Sequence, residues 1–226
     1  MKLTPNNTDL YTLLHLEGGT LLYDGSEGSV VRAANNGTVL TDILHGDDLC
    51  RILHELALED FHLICLKSKE VQRLVLREFG FTGEQFCSQW VYTKPKPPIL
   101  PPCDIRPLTL AELPIAAAHY HPEDNNFEYL RGRISHGRMW GLYENGVLAG
   151  FVGTHTEGSM GILEVFPEYR RRGYGEMLEA YLIAWLMERG HIPYGQVVEG
   201  NTASLGLQAK LGLERCELPA IWMWKE

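Results

Sequence analysis

The sequence predicts an α/β (α+β) fold in which a smaller N-terminal part precedes a larger C-terminal domain. A strand-like run, a glycine-containing turn and a helix-like run follow one another between Gly161 and Arg189. Two further strand-like runs are joined by Asn145-Gly146, a dipeptide that favours a tight hairpin turn. A proline-rich stretch separates these elements from the first 93 residues. The three observations together indicate that a domain of strands and helices follows a linker.

The proline-rich stretch sets the predicted domain boundary. Five prolines fall within the nine residues from Lys94 to Pro102. Because proline fixes φ and lacks an N–H group, this stretch is expected to form neither helix nor paired strand and to act as a stiff, extended linker. We therefore predict an N-terminal domain at residues 1–93, a linker at 94–103 and a C-terminal domain at 104–226.

Within the C-terminal domain, hydrophobic periodicity and capping residues predict the order β-α-α-β-β-β-α-β-α-β. Thr109 is expected to cap the first helix, and Gly190 and Gly212 to end the last two. The predicted strands are 105–108, 139–143, 147–154, 159–166, 195–198 and 221–224, and the predicted helices are 109–118, 125–136, 176–189 and 201–210.

Composition excludes several classes of protein. Of the 226 residues, 45% are hydrophobic and 22% are charged, as in an ordinary soluble globular protein. A formal net charge of −9 argues against a nucleic-acid-binding protein and is compatible with an amine-bearing, cationic substrate. No signal peptide or bilayer-length apolar run is recognised, so no membrane partner is expected and the location is predicted to be cytoplasmic. Five cysteines without C-x-x-C spacing, and histidines without a strong ligand pair, predict free thiols and no metal site.

The strongest functional signal is the turn between the strand at 159–166 and the helix that follows it. The N–H groups in the first turn of a helix have no intrahelical partner, and the helix dipole favours negative charge there. Gly173 and Gly175 allow the backbone to approach a phosphate, and Arg170, Arg171 and Arg172 add positive charge. The alternative interpretation is a surface turn with a solvated basic run.

This turn resembles the pyrophosphate-binding signature of the GNAT superfamily, the acyl-CoA-dependent N-acyltransferases. The signature is an arginine or glutamine, two residues, a glycine, one residue, and a glycine or alanine, which here are Arg170, Gly173 and Gly175. Residues 165–169 match the preceding Val-x-Pro-x-Tyr of the family. The resemblance implies the GNAT fold, with a mixed, mostly antiparallel central sheet flanked by helices.

A second motif lies further along the chain. Asn201 and Ser204, followed by Lys210-Leu211-Gly212, resemble the family's Asn-x-x-Ser and the Lys-Leu-Gly that ends the next helix. The resemblance therefore covers roughly the whole C-terminal domain and identifies residues 104–226 as a catalytic GNAT N-acetyltransferase domain. Asn201 is also expected to cap its helix, and the two roles are compatible.

The resemblance implies acetyl-CoA, or another short acyl-CoA, as co-substrate. In the family the loop backbone cradles the pyrophosphate, the strand before the loop pairs with the pantetheine arm, and the N–H of Val165 would be the oxyanion donor. The predicted acyl-CoA-binding residues are Leu163, Val165, Arg170, Arg171, Arg172, Gly173, Tyr174, Gly175, Glu176, Asn201 and Ser204.

The catalytic base and acid are less well defined. Relatives often carry a glutamate near the start of the strand before the loop, where this chain has Ser159. Glu157 and Glu164 are the candidate catalytic carboxylates, because either could accept the amine proton through a water; each is alternatively a solvated carboxylate. Many relatives place a tyrosine before x-Lys-Leu-Gly to protonate the leaving thiolate, and this chain has Gln208 there. A CoA thiolate can leave without such an acid.

We therefore predict an N-acetyltransferase that transfers an acyl group, expected to be acetyl, to a primary amine of a small molecule or peptide. Transfer is expected by direct attack in a ternary complex. The alternative is a non-catalytic acyl-CoA-binding or interaction protein with a degenerate active site. The identity of the acceptor, the acyl chain length and the oligomeric state, including a homodimer, are left open. Candidate acceptor-site residues, each alternatively core or surface, are His119, Tyr120, His121, Tyr129 and Trp140.

The N-terminal part contains a repeat of the end of the C-terminal domain. Gly80 and Gly212 each end a helix-like run, and Trp90 and Trp222 each follow their glycine by ten residues. The strand-like residues 62–65 align with residues 194–197 without a gap. The pattern predicts a duplicated strand–helix–strand unit.

The N-terminal copy lacks the features that would bind CoA. No phosphate loop occurs before residue 94, and Lys69 stands where Asn201 stands in the second copy. We interpret the N-terminal part as a degenerate GNAT-like half-domain that binds no cofactor. The alternative is coincidental recurrence of a common αβ unit.

Overall fold

The computed structural model describes residues 1–34, 37–58, 61–120 and 126–225. The chain divides into two compact units. The first comprises residues 1–91, 194–205 and 213–226, and the second comprises residues 92–193 and 206–212.

Helices and strands are interspersed along the chain. In chain order the elements are α1 Thr8–Leu16, β1 Thr20–Gly25, β2 Gly28–Arg32, β3 Val39–Thr41, α2 Gly46–Glu55, β4 Leu63–Leu66, α3 Lys69–Phe79, β5 Gly83–Val91, β6 Asp104–Pro107, α4 Leu113–His119, α5 Phe127–Ser135, β7 Met139–Glu144, β8 Val147–Thr154, β9 Met160–Val165, α6 Tyr174–Glu188, β10 Tyr194–Val198, α7 Thr202–Leu211 and β11 Glu214–Trp224.

The first unit is built on a sheet in the order β1-β2-β3-β4-β11-β5-β10. Its neighbouring strands are antiparallel except for the parallel pair of β3 and β4. Because successive strand residues point to opposite faces, β4 directs Ile64 and Leu66 into the core that holds α2 and α3, and Cys65 into the core that holds α1. Leu10 and Leu13 of α1 are fully buried in that second core.

The predicted strand–helix–strand repeat is present as β4-α3-β5 and β10-α7-β11. The second strand of each copy pairs with the first strand of the other, since β4 pairs with β11 and β10 pairs with β5. The two second strands, β5 and β11, also pair with each other. The equivalent residues Trp90 and Trp222 lie opposite Gly195 and Cys65 in these two pairings. The copies therefore exchange strands within one sheet.

A buried polar network links α1 to the exchanged strands. The Lys67 ammonium donates to Asp9 Oδ2 at 2.5 Å and to Gln89 Oε1 at 2.9 Å, and the side chains of Lys67 and Asp9 are both 0% exposed. Gln196 Nε2 donates to the same two oxygens at 3.2 and 3.1 Å. The Trp222 indole N–H donates to Gln196 Oε1 at 2.7 Å. Burial alone would lower the pKa of Lys67, but the Asp9 carboxylate and neighbouring groups together outweigh this effect and raise that pKa.

The second unit contains the antiparallel sheet order β9-β8-β7-β6. Helices α4 and α5 cover one face, where Leu113, Leu130 and Ile134 pack with Phe151 and Ile162. Helix α6 packs against β7, β8 and β9, with Trp185 over Trp140. From β6 to β11 the elements follow the predicted order, and the predicted mixed, mostly antiparallel sheet flanked by helices is confirmed.

Local chemistry explains where the predicted elements begin and end. Asn145 and Gly146 take φ of +52° and +81°, as a two-residue hairpin turn requires. The predicted start of the first helix at Thr109 is wrong. The N–H and hydroxyl of Thr109 donate to Glu112 Oε2 at 2.8 and 2.7 Å and close a turn, so that α4 begins only at Leu113. Asn125, the predicted start of the second helix, lies outside the described residues.

Residues 94–103 contain neither helix nor strand. The predicted domain bounds of 1–93, 94–103 and 104–226 stay a prediction. The compact units are divided differently, because β10 and β11 pair with strands of the first unit. In the described part of the chain, no helix combines the length and hydrophobicity needed to cross a bilayer.

Candidate active site

Strand β9 carries an irregularity at its centre. Ile162 has a φ of +48°, a left-handed conformation that is rare for a β-branched residue, and the register with β8 shifts between Gly161 and Glu164. Beyond the shift the Phe166 N–H donates to the Ala149 carbonyl at 3.0 Å. Because N–H groups alternate between the two sides of a strand, those of Leu163 and Val165 point away from β8.

The turn after β9 places glycine at the start of helix α6. A short 3₁₀ helix, Pro167–Tyr169, follows the strand, and Arg171 and Gly173 take φ of +64° and +81°. Gly173 is the N-cap of α6, and its carbonyl accepts from the Met177 N–H at 3.0 Å. A Cβ placed on Gly173 would meet no protein atom within 4 Å. The space in front of the first turn of α6 is therefore open, and the turn presents backbone N–H groups to it.

Two of the three predicted arginines are tied back to the protein. Arg170 donates to Glu164 Oε1 and to the Val165 carbonyl, both at 2.9 Å. Arg172 donates to Glu144 Oε2 at 2.9 Å and to the Glu168 carbonyl at 3.0 Å. Arg170, Arg171 and Arg172 are all exposed. Arg170 and Arg172 are therefore held in defined positions beside the turn.

The hairpin end of β7 supports the turn from the other side. The Tyr174 hydroxyl donates to Glu144, and this hydrogen bond together with Arg172 lowers the pKa of the Glu144 carboxyl. Glu176, in the first turn of α6, forms a salt bridge with Lys210 of α7, whose Nζ lies 2.6 Å from Glu176 Oε2. Both predicted residues, Tyr174 and Glu176, thus position the first turn of α6.

A cavity of about 250 Å³ opens beside the turn. One wall is the proline-rich stretch at residues 98–101, and the other is Arg172, Gly173 and the first two turns of α6. Ile99 at its edge is 97% exposed, which is unusual for a large apolar side chain. Helix α6 lines the cavity with Glu176, Met177 and Ala180, and the end of α7 lines it with Leu211.

The two predicted catalytic carboxylates have different surroundings. Glu164 Oε1 is 2.9 Å from Arg170 Nη2, so this carboxylate is held by the loop arginine. Glu157 lies in the turn between β8 and β9, and its Oε1 accepts from the Ser159 hydroxyl at 2.5 Å. The Glu157 carboxylate therefore lies beside Ser159, where relatives are expected to carry their glutamate.

Of the predicted acceptor-site residues, Tyr129 has the most distinctive contacts. Its hydroxyl is 2.7 Å from His155 Nδ1. Burial, reinforced by the nearby Glu157 carboxylate, raises the pKa of Tyr129 far above its ordinary value. A Cβ on Gly161 would overlap His155 Nε2, so the glycine leaves room for the imidazole against β9. Tyr129, His155, Glu157 and Ser159 thus form a polar cluster at the start of β9.

The other acceptor-site predictions have different outcomes. His119 stacks on Phe166 with the ring centroids 4.0 Å apart, and Tyr120 lies edge-on to Phe151. Trp140 is a core residue, 2% exposed, between Tyr181 and Trp185. His121 lies outside the described residues. Sequence reasoning missed His155, for which the signal was its position two residues before Glu157 at the end of a strand.

Asn201 and Ser204 belong to the first unit. Asn201 Oδ1 accepts from the Ser204 N–H at 3.1 Å, and its carbonyl accepts from the Leu205 N–H at 3.0 Å. Asn201 is therefore the predicted N-cap of α7. At the other end Gly212, with φ of +83°, ends the helix.

Metal-binding groups do not occur in the ranges that the structure describes, since no three His, Cys, Asp or Glu side chains there are placed to hold an ion.

Comparison with known families identifies the class of domain. Residues 104–213 match the acetyltransferase (GNAT) family, and they form a GNAT acetyltransferase domain. The family supports acyl transfer from an acyl-CoA co-substrate as the general activity. No curated protein sequence matches the chain.

Solved structures show the same fold over most of the chain. A Drosophila protein is 19% identical with a TM-score of 0.66, over 88% of this chain and 74% of its own. A GNAT-family acetyltransferase from Colwellia psychrerythraea is 14% identical with a TM-score of 0.57, over 100% and 98%. A tandem GNAT protein from the clavulanic acid biosynthesis pathway is 15% identical with a TM-score of 0.50, over 96% and 87%. At these identities the likeness concerns the fold alone.

Proposed function

We propose that this chain is an N-acetyltransferase that transfers an acetyl group from acetyl-CoA to a primary amine by direct attack in a ternary complex. The observation that carries the proposal is the turn between β9 and α6. Arg171 and Gly173 are left-handed there, the space in front of Gly173 is open, and arginines surround it. This is the backbone geometry that binds a doubly charged pyrophosphate.

The residues of the turn fit the pyrophosphate end of acetyl-CoA. The N–H groups from Arg171 to Glu176 would bind its oxygens, and the exposed Arg171 would add charge. The N–H groups of Leu163 and Val165, which point away from β8, would pair with the pantetheine amides. The Val165 N–H would then be the oxyanion donor for the thioester carbonyl. Asn201 and Ser204, at the start of α7, are still proposed as acyl-CoA-binding residues.

The cavity beside the turn suits the nucleotide end of the same ligand. A ligand whose pyrophosphate lies at Gly173 has its adenosine next to the pyrophosphate, and this cavity includes Arg172 and Gly173 in its wall. Its apolar surface comes from residues 98–101 and from Met177. We assign the proline-rich stretch a role in holding the adenine ring, because an exposed Ile99 gains cover when a flat ring lies on it.

The acceptor amine must lose a proton before it attacks. Glu157 is the better supported base, since its carboxylate lies beside Ser159 in the cluster at the start of β9. Glu164, the second candidate, is engaged by Arg170 and would instead stabilise the loop. Gln208 cannot donate a proton to the leaving thiolate, so the thiolate of CoA leaves unassisted by this residue.

We further propose that the N-terminal part is a degenerate half-domain of the same origin. The supporting observation is the reciprocal pairing of β4 with β11 and of β10 with β5, which follows if two copies of one strand–helix–strand unit exchanged their last strands. In the first copy α3 begins at Lys69 behind the Ser68 cap, at the position where α7 of the second copy begins behind Asn201.

The test is release of CoA thiol during incubation with acetyl-CoA and a panel of amino acids, polyamines and aminoglycosides. Amine-dependent release, with the acetylated amine found by mass spectrometry, supports transfer. The alternative function, non-catalytic binding of acyl-CoA, would give binding by calorimetry with no thiol release from any amine. Absence of both binding and release would reject both functions.

A further inference from the structure

A buried glutamate on α6 faces a buried glutamine on α7. Glu179 and Gln208 are each only 4% exposed, and both lie in the second unit. Gln208 Nε2 donates to Glu179 Oε1 at 2.5 Å. The other two oxygens, Glu179 Oε2 and Gln208 Oε1, are buried and have no hydrogen-bond partner among the described residues. If Glu179 is ionised, both of these oxygens are buried acceptors without a donor, which destabilises the folded state.

The cationic side chains around Glu179 form salt bridges with other carboxylates. Around α6, strand β9 contributes Glu164, strand β7 contributes Tyr143 and Glu144, helix α7 contributes Lys210, and β8 contributes no ionisable side chain. The cations near α6 are paired with other carboxylates, Arg170 with Glu164, Arg172 with Glu144 and Lys210 with Glu176. The remaining titratable groups of α6 itself and of the proline-rich stretch are Tyr174, Glu176, Tyr181, Glu188, Lys94, Lys96 and Cys103.

We propose that Glu179 carries a proton in the folded chain and that its O–H donates to Gln208 Oε1. The carboxylic acid and the amide then form a ring of two hydrogen bonds, and each of the two unsatisfied oxygens gains a partner. The pair acts as a positioning device that holds α7 against α6. Its consequence for acyl-CoA rests on the function proposed above.

Burial supports the protonated form. It raises the pKa of Glu179 from 4.5 to about 7, and the hydrogen bond from Gln208 offsets only part of the effect. The unfolded chain therefore loses this proton near pH 4.5, and the folded chain keeps it until about pH 7. The stability that the pair contributes is present below the unfolded pKa and is lost as the pH rises through the folded pKa.

The pair lies close to the turn assigned to the pyrophosphate. Leu207, the neighbour of Gln208, lies 3.9 Å from where a Cβ on Gly175 would be, and Val165 lies 3.8 Å from the same point. The end of β9, the second glycine of the turn and α7 are thus packed together. Ionisation of Glu179 would place a buried charge beside Gln208 Oε1, and the repulsion would loosen α7 where it supports the turn.

The experiment compares wild type with Glu179→Gln and with Glu188→Gln, an exposed glutamate at the end of the same helix (side chain 76% exposed). Thermal unfolding and the Kd for acetyl-CoA are measured between about pH 5 and about pH 9. Two amides can form the same ring without a titrating group, so Glu179→Gln should retain the pair. Acetyl-CoA is used because its sulfur does not titrate, and any titration of its phosphates is common to all three proteins.

The proposal predicts that wild type and Glu188→Gln lose thermal stability progressively as the pH rises from about 5 to about 7. Above pH 7 both should bind acetyl-CoA about fivefold more weakly, as expected for one lost hydrogen bond. Glu179→Gln should show neither change. Identical pH dependence in all three proteins would overturn the proposal. If Glu179→Gln does not fold, the infrared band of a protonated carboxyl in wild type decides, and its absence at pH 6 rejects the pair. Failure of every protein to bind acetyl-CoA would reject the proposed function, while the unfolding data would still decide the state of Glu179.

Discussion

Gly173 combines two properties that a side chain would remove. Its φ of +81° favours glycine, and the space where a Cβ would lie is free of protein atoms. A bulkier residue at this position therefore strains the backbone and fills the space proposed for a phosphate. Gly190, at the other end of α6, has nearly the same φ of +73° and an equally open Cβ position, but no proposed ligand.

We predict that Gly173→Val weakens acetyl-CoA binding by tenfold or more, about 1.4 kcal/mol, by isothermal calorimetry. Gly190→Val is the matched control, because both variants force a β-branched residue into a left-handed conformation at a cost of about 1–2 kcal/mol. Both should unfold at a lower temperature, and only the first should lose affinity. Equal affinity in the two variants would contradict the assignment of the turn.

The two carboxylates near β9 are predicted to differ in kinetic effect. Glu157→Gln should lower the rate of transfer mainly at low pH, where the acceptor amine is most protonated and needs a base. Glu164→Gln releases Arg170 and should raise the KM for acetyl-CoA with little change in the shape of the pH profile. Steady-state rates across pH check both expectations. Full activity at every pH in the Glu157→Gln, Glu164→Gln double variant would reject both residues as the base.

Sequence reasoning at the residue scale worked where the backbone sets the geometry. Glycine spacing identified the turn before α6, and Asn145-Gly146 identified the hairpin. It did not find His155 or Glu179, because their surroundings depend on residues far apart in the chain. Tyr129 of α5 contacts His155, and Gln208 of α7 contacts Glu179 of α6. Such pairs have no local sequence signal.

At the scale of elements, helix α1 is held by a charge pair that lies out of contact with water. Lys67 and Asp9 are fully buried, and their 2.5 Å contact is extended by Gln89 and Gln196. Removal of one partner leaves the other as an uncompensated buried charge, which is far more costly than the loss of an exposed pair.

We predict that Lys67→Met lowers the free energy of unfolding by about 3–5 kcal/mol in a urea titration. Arg51→Met is the control, since Arg51 is 47% exposed and each of its pairs with Glu27, Asp48 and Glu55 should contribute no more than about 1 kcal/mol. The double variant Lys67→Met, Asp9→Leu should recover much of the loss. A small effect of Lys67→Met alone would show that Asp9 is reached by water.

The proline-rich stretch is predicted to contribute to ligand affinity. Replacement of Ile99 and Leu100 by serine removes apolar surface from the cavity beside Gly173 and should raise the KM for acetyl-CoA about fivefold. The KM for acetyl-pantetheine, which has no nucleotide, should not change. Lys96→Ser, an exposed change in the same stretch, serves as control. Equal effects on both donors would place the adenosine elsewhere.

Prediction of elements succeeded from β6 to β11 and was incomplete before β4. Helix α1, strands β1 to β3 and helix α2 were not predicted; β3, for example, has only three residues, and periodicity needs a longer run. The final strand begins at Glu214 rather than at residue 221. Its first half carries Glu214, Arg215 and Glu217, and pairing with β5 rather than local sequence makes it a strand.

At the scale of the whole molecule, the exchange of strands explains why a boundary in sequence need not be a boundary in space. The chain passes through residues 94–103 once, but β10 and β11 lie among strands of the first unit. The repeat could be read from the ten-residue spacing of Gly80 to Trp90 and of Gly212 to Trp222. The strand pairing could not be predicted, since the same sequence pattern fits pairing within each copy and pairing between the two copies.

The central claim is that acetyl-CoA bound at the turn before α6 gives its acyl group directly to an amine. Initial rates of CoA thiol release, measured over a matrix of acetyl-CoA and amine concentrations, test it most directly. We predict reciprocal plots that intersect for wild type and loss of release in Gly173→Val at the same donor concentration. Parallel lines, or an acylated cysteine trapped by mass spectrometry, would contradict direct transfer. Bound acetyl-CoA without thiol release from any amine would contradict catalysis itself.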